Sequence, residues 1–250
     1  MFYYVKKEGL DASTVKIIAI IAMTVDHLAW LLFPGLQKEW YILFLHAIGR
    51  LTAPIMWYFI AEGSYYTKNS KKYILRLFIF AFISHFAFTF CFGLNPIPFS
   101  EGIFNQTSVM WSLALGATLI YILTKYKLSF LARLLLILLV NLLSFPADWS
   151  CIACILPFFL YMHRDNFKKQ ILDYIIFVGI YIIVYFIFID KTYAILQLCT
   201  LLSLPILGLY NGKVGKNKSM KWGFYIYYPA HMIIIGILRL ILYGNVNILF

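Results

Sequence analysis

Charge is scarce in this sequence: 12% of its residues are Asp, Glu, Lys or Arg, and 10 are acidic. A soluble chain of this length covers itself with far more charge than that. Several motifs are also missing. There is no HExxH, no Walker loop, no GxSxG and no paired CxxC, which removes the zinc-protease, P-loop NTPase, nucleophile-elbow and zinc-ribbon classes. His and Asp spacing matches no usual metal site, so no metal is expected. Cysteine is limited to Cys91, Cys151, Cys154 and Cys199. Cys151 and Cys154 form one C-x-x-C, but inside an apolar segment without a thioredoxin-like context. Small residues packed between helices are the favoured reading over a redox pair. A cleavage site is lacking too. The apolar run after Lys6 and Lys7 is too long for a signal-peptide core and reads as an uncleaved first span.

What the chain does have is apolar sequence: 63% hydrophobic residues and a mean hydropathy of +0.84. The expected fold class is all-α, a polytopic membrane helical bundle in one domain over residues 1–250. About nine transmembrane helices are expected, near 13–33, 40–66, 70–92, 106–125, 128–145, 149–163, 171–189, 193–210 and 222–243. The two spans between 128 and 163 are short, with a turn at Ser144–Asp148, and a re-entrant pair is the alternative. The net charge of +11 then reports topology rather than nucleic-acid binding. With the N-terminus cytoplasmic, one side holds Lys6, Lys7, Lys68, Lys71, Lys72, Lys125, Lys127, Arg164, Lys168, Lys169, Lys213, Lys216, Lys218 and Lys221. The other holds Lys38 and Lys191. Fourteen against two satisfies the positive-inside rule. The outer loop 92–106 carries its own turn residues and is long enough to cover an opening. Trp30, Trp40, Trp149 and Trp222 fall at expected span ends and read as an interfacial belt.

The polar residues inside these spans carry the functional signal, because ionisable groups at membrane depth are costly. Lys16 and His27 are eleven positions apart, which places them within ~20° around one helix and ~16 Å apart along it. One face thus carries a cation near the inner surface and an imidazole deep inside. That suits a long anionic ligand with a charged head and a buried reactive end. Counted from the cytoplasmic edge, His27 lies ~20 Å deep, Arg50 ~16 Å, His85 ~21 Å and His231 ~14 Å. Asp26 joins this band and is expected to orient His27 as a general base. A second set near the inner surface is Lys16, Glu62, Lys72 and Arg76. Plain structural roles stand beside these. Arg50 can serve only to pair with Asp26, His85 can bond a backbone carbonyl, and Glu62 can pair with Arg76 or a lysine. His46 reads as interfacial. His231 follows Tyr227-Tyr228-Pro229, where proline should bend the last span and free carbonyls for a ligand.

The chain resembles the TraX family of polytopic bacterial membrane proteins, named for acetylation of pilin. The matching stretches are Ser13–Ile20 through Asp26-His27, Ile48-Gly49-Arg50-Leu-Thr-Ala-Pro54 and Ile60-Ala-Glu62-Gly63-Ser-Tyr-Tyr-Thr67. They continue with Lys72-Tyr-Ile-Leu-Arg76-Leu, Asn211-Gly212-Lys213 and Phe224–His231. The family is similar in turn to the wider membrane acyltransferases, where a basic residue stands eleven positions before a catalytic histidine. Lys16 replaces the arginine of that group, Ala87 stands where proline is expected, and Met110-Trp111 replaces Phe-Thr. The resemblance implies a multi-pass protein of the bacterial cytoplasmic membrane. It implies an acyltransferase that takes acetyl-CoA from the cytoplasm and acylates an amine or hydroxyl of a membrane-associated or exported acceptor, a peptide, pilin or glycan. The expected catalytic residues are His27, Asp26, Arg50 and His231. Lys16, Arg76, Lys72 and Glu62 would hold the donor, and His85 and Tyr228 the acceptor. Two readings from other classes stand against it: a proton-coupled transporter, and a non-catalytic membrane partner of a peptide or pilus export system.

Overall fold

The computed structural model describes residues 8–97, 100, 105–215 and 220–249. Lys6, Lys7, Lys216, Lys218, the side chain of Lys221, and outer-loop residues 98, 99 and 101–104, Glu101 included, lie outside the described residues. The elements are α1 (Ala12–Leu32), α2 (Trp40–Gly49), α3 (Thr52–Tyr66), α4 (Ser70–Phe92), α5 (Val109–Lys125) and α6 (Phe130–Ser144). They continue with α7 (Ile152–Met162), α8 (Phe167–Phe188), α9 (Lys191–Leu196), a 3-10 stretch Gln197–Leu202, α10 (Ser203–Gly208) and α11 (Met220–Tyr243). α2 and α3 form one run broken at Arg50–Leu51, and α9 to α10 form another. Six runs are long and apolar enough to cross a bilayer, and α5, α6 and α7 are shorter apolar helices. The result is a multi-pass helical bundle with a helix at each expected span. α6 and α7 are separate helices joined by an irregular turn at 145–151.

Local chemistry starts and stops these helices. Asp11, Asn69 and Asn166 cap α1, α4 and α8 by accepting backbone N–H bonds from Thr14, Lys72 and Lys169, satisfying donors that the first turn leaves free. α4 ends at Gly93 with φ +74°, where a Cβ would meet the Val246 carbonyl at 2.4 Å. Only glycine fits both the left-handed backbone and that approach.

Contacts between loops sort the helix ends into two groups. At one end Lys38 pairs with Asp190 at 2.7 Å, Gln106 N–H donates to the Pro146 carbonyl, and Asp148 N–H donates to the Thr107 carbonyl. The 244–249 segment folds back there, with Ile248 N–H bonded to the Phe92 carbonyl and Gly35 N–H to the Ile248 carbonyl. Arg239, fully buried, clamps that segment through the carbonyls of Gly244, Val246 and Phe90. At the opposite end Leu10 and Ala12 bond to Leu209 and Lys213, and Arg164 meets Glu62. This alternation is that of a multi-pass bundle. It places the cation-rich segments together at one end. The core lies where α1, α3, α4, α5, α7 and α11 meet. α6 stands outside, burying only Val140 and Ser144 while its leucines face outward.

Candidate active site

Gly49 lets α2 touch α1: a Cβ there would sit 2.3 Å from the Asp26 Cβ. That approach, together with the break after Gly49, brings Arg50 back over Asp26. One Asp26 carboxylate oxygen accepts from Arg50 Nη1 at 3.0 Å and from His46 Nδ1 at 2.9 Å. His46 is fully buried beside the rings of Trp30 and Tyr193. The reading of His46 as interfacial is therefore corrected. Its position one turn before Arg50, on the same helix face, was the available signal. Trp30 is buried as well, and Trp149 lines the site, so neither belongs to an interfacial belt. Trp40 and Trp222 remain exposed at span ends.

Asp26 does not orient His27, contrary to expectation. Adjacent residues on a helix point about 100° apart, and Asp26 is occupied by α2. The partner of His27 is His231: Nδ1 lies 2.7 Å from His231 Nε2, and the rings stack with centroids 5.0 Å apart. His231 Nδ1 lies 2.8 Å from the carbonyl oxygen of Tyr227. A carbonyl only accepts, so this contact puts the His231 proton on Nδ1. His231 Nε2 is then an acceptor, and His27 must donate to it from Nδ1. The neutral His27 ring therefore keeps its lone pair on Nε2, which bonds to no described residue. Tyr227 is itself held by Thr24 at 2.6 Å and stacks on His231. α11 continues through Pro229, and the carbonyl used for this fixing lies two residues before it.

Three cavities run in series through the bundle. The largest, about 620 Å³, opens at the cation-rich end and is lined by Lys16, Lys68, Lys72, Tyr73, Arg76 and Tyr225, among others. Arg76 sits over the rings of Tyr73, Trp222 and Tyr225 at 5.2 to 5.5 Å, and Lys16 lies over Phe59 at 4.9 Å. Among the described residues none of Lys16, Lys72 and Arg76 pairs with a carboxylate. The second cavity, about 50 Å³, shares Met56, Met110, Leu113 and Phe224 with the first and reaches Asp26, His27, Arg50 and Tyr228. A third, about 70 Å³, shares Asp26, His27, Arg50, Asp148 and Trp149 with the second. It extends to Tyr185 and Gln197 and is closed outward by Phe92 and Leu249. Each of the small chambers has room for a few waters. Among the described residues the buried Nε of Arg50 has no partner, a donor whose desolvation costs about 1–3 kcal/mol until something accepts from it.

The turn before α7 supplies a residue that sequence reasoning left outside. Asp148 enters both small chambers, and Trp149 packs under the Arg50 guanidinium at 5.8 Å. Burial pushes the Asp148 carboxyl up to about 7, with Asp26 reinforcing and Arg50 opposing. Trp149 and Ser150 take φ of +59° and +43°. Two consecutive non-glycine residues in that region store strain of the kind found at functional sites. An Asp in a Pro-Ala-Asp-Trp turn carries no sequence signal that it will fold inward.

Two expected site residues are elsewhere. Glu62 is bound by Arg164 Nε at 2.7 Å and does not line the basic cavity, so it is removed from the donor-binding set. His85 is bonded to Thr107 and to the Pro96 carbonyl at 3.0 and 2.9 Å. It pins the outer loop and lines none of the three chambers, so it leaves the acceptor set. Tyr228 is buried and lines the second chamber. The cysteines are free; Cys154 packs its backbone against Gly116, and the Cys151 thiol donates to the Asn141 carbonyl. Among the described residues no group of three or more His, Cys, Asp or Glu is placed to hold a metal.

The model of the TraX protein family matches residues 11–239. A probable fimbrial assembly protein FimC, serogroup H1, of Dichelobacter nodosus is 29% identical over 229 residues, covering 89% of this chain and 93% of that protein. No solved structure matches.

Proposed function

The chain belongs to the TraX family, and from that premise we propose that it is an acyltransferase of the bacterial cytoplasmic membrane. Its donor is acetyl-CoA, drawn from the cytoplasm, and its acceptor is an amine or hydroxyl of a membrane-associated or exported molecule. The observation that carries the reading is the series of cavities. A roomy mouth lined by unpaired cations leads, past an apolar collar, to an imidazole nitrogen with a free lone pair.

In this reading Lys16, Lys72 and Arg76 hold the donor's phosphates, where an unpaired cation is worth most. The collar of Met56, Met110, Leu113 and Phe224 encloses the slim arm. His27 Nε2 takes the proton of the acceptor as its nitrogen or oxygen attacks the thioester carbon, the step a general base accelerates by about 10²–10⁴. The His231 ring and the Tyr227 carbonyl keep the other His27 proton on Nδ1 throughout. The unpartnered Nε–H of Arg50 donates to the oxyanion, and Asp26 holds the guanidinium in place. When the C–S bond breaks, His27 returns the proton to the departing thiolate.

The test is a radiolabelled acetyl-CoA reaction with the purified chain in lipid nanodiscs, with mass analysis of what becomes labelled. Loss of labelling in His27→Ala, with the protein still folded, is the expected result. Equal labelling by His27→Ala would remove the assignment. The relative's role as a fimbrial assembly protein, given by its name, favours a second reading, a non-catalytic partner in fimbrial assembly. Pili that assemble normally with His27→Ala but fail with loop deletions would support it.

A further inference from the structure

A fourth cavity lies off this path. It is an apolar cleft of about 240 Å³ between the 145–151 turn, α7 and the outer half of α8, walled by Ile155, Ile180 and Val184. α8 buries only Gln170, Asp173, Tyr174 and Val178; beyond Val178 it touches the bundle through Tyr181, stacked on Trp149, and Tyr185, and the cleft opens sideways past the exposed Ile180. That side is the bilayer: Ile180, Ile183 and Ile187 are 54%, 59% and 64% exposed. The cleft adjoins the outer chamber, with Asn105 and Tyr185 lining both.

The dimensions select the occupant. The cleft follows α8 from Phe177 to Ile189, about 18 Å at ~1.5 Å per residue. A helix ~10 Å across needs roughly 1400 Å³ over that length, well beyond the cleft's empty space of about 840 Å³. A single alkyl chain needs no hydrogen-bond partners and fits a slim apolar slot. We propose that this cleft is an acceptor subsite for one alkyl chain. The acceptor is an amphiphile whose amine or hydroxyl head passes between Asn105 and Tyr185 to His27 while its tail stays at membrane depth. This rests on the acyl-transfer reading. For an amine, the new bond is C–N, the broken bond is the thioester C–S, and the amine proton leaves on the thiol through His27.

The experiment uses the full chain in phosphatidylcholine nanodiscs, which offer no primary amine. Labelled acetyl-CoA is supplied with n-dodecylamine or n-propylamine. Filling the cleft with Val184→Trp, or in a second variant Ile155→Trp, should raise the KM for dodecylamine about ten-fold and leave propylamine within two-fold. An unchanged dodecylamine KM in both variants overturns the proposal. So does acetylation of an apolar helical peptide amine by wild type and filled variants alike while dodecylamine is refused. A second readout needs no turnover: a diazirine-bearing alkylamine should photolabel α7 and α8 at Ile155 or Ile180, and Val184→Trp should abolish the label. No transfer to any acceptor, with photolabelling intact, removes the acyltransferase reading and leaves the alkyl site standing. Transfer without cleft labelling removes the alkyl site alone.

Discussion

The two places where this chain keeps cations inside its helices are built in opposite ways. Around Asp26 the charge is closed off. Arg50 and His46 both bond to one carboxylate oxygen, and all three are buried or nearly so. At the wide mouth, Lys16, Lys72 and Arg76 face a 620 Å³ space, Lys16 and Arg76 over aromatic rings, with no carboxylate in reach among the described residues. Cation–π contact holds such a group in place without neutralising it. Depth explains the contrast, since an unpaired charge far from water is too costly to keep. The paired cluster is a scaffold that aims Arg50, and the open cations are left for a ligand to neutralise.

Breaking this contrast at its reactive end should have the largest effect. His27→Ala should lower acetyl transfer by about 10²–10⁴ in the labelled acetyl-CoA assay while thermal unfolding stays close to wild type. Next is the scaffold. Arg50→Met strands Asp26, and removing one partner of a buried pair costs about 3–5 kcal/mol. Thermal unfolding in nanodiscs should show a clear drop in Tm, and Asp26→Asn with Arg50→Met should recover part of it. In the open region the same kind of change should act on binding instead. Arg76→Ala should raise the KM for acetyl-CoA about ten-fold, roughly 1.4 kcal/mol, with kcat and Tm nearly unchanged. A Tm loss for Arg76→Ala as large as that for Arg50→Met would erase the distinction.

The smallest effect is expected where charges pair in water. Lys38 holds the Asp190 carboxyl below the usual carboxylate range, and the lysine is half exposed. A depressed carboxylate pKa stabilises the fold above the unfolded value near ~3.9 and stops doing so as pH falls through the folded value. Lys38→Ala should cost under about 1 kcal/mol near neutral pH. By thermal unfolding, the difference from wild type should shrink as pH falls below ~3.9 and vanish once Asp190 is protonated in the folded protein.

The helices were legible because apolar length and lysine placement are one-dimensional properties, and all the expected spans carry helices. The register of Lys16 and His27 was legible for the same reason: a straight helix carries its phase along the sequence. Partner choice was not legible. That Asp26 turns to α2 and His27 to α11 depends on Gly49 admitting a close crossing and on the Tyr227 carbonyl fixing a tautomer. Glu62 was misassigned because its partner, Arg164, lies about a hundred residues away at the end of α7. Asp148 was missed because a strained turn carries it inward, and no periodicity marks such a turn.

The most direct test is a structure of the purified chain bound to a non-transferable acetyl-CoA analogue. The account predicts phosphates against Lys72 and Arg76, the arm inside the collar of Met56, Met110, Leu113 and Phe224, and the carbonyl facing Arg50 beside His27. An analogue bound elsewhere, or one held in the mouth with its carbonyl cut off from His27 by a closed collar, would contradict it.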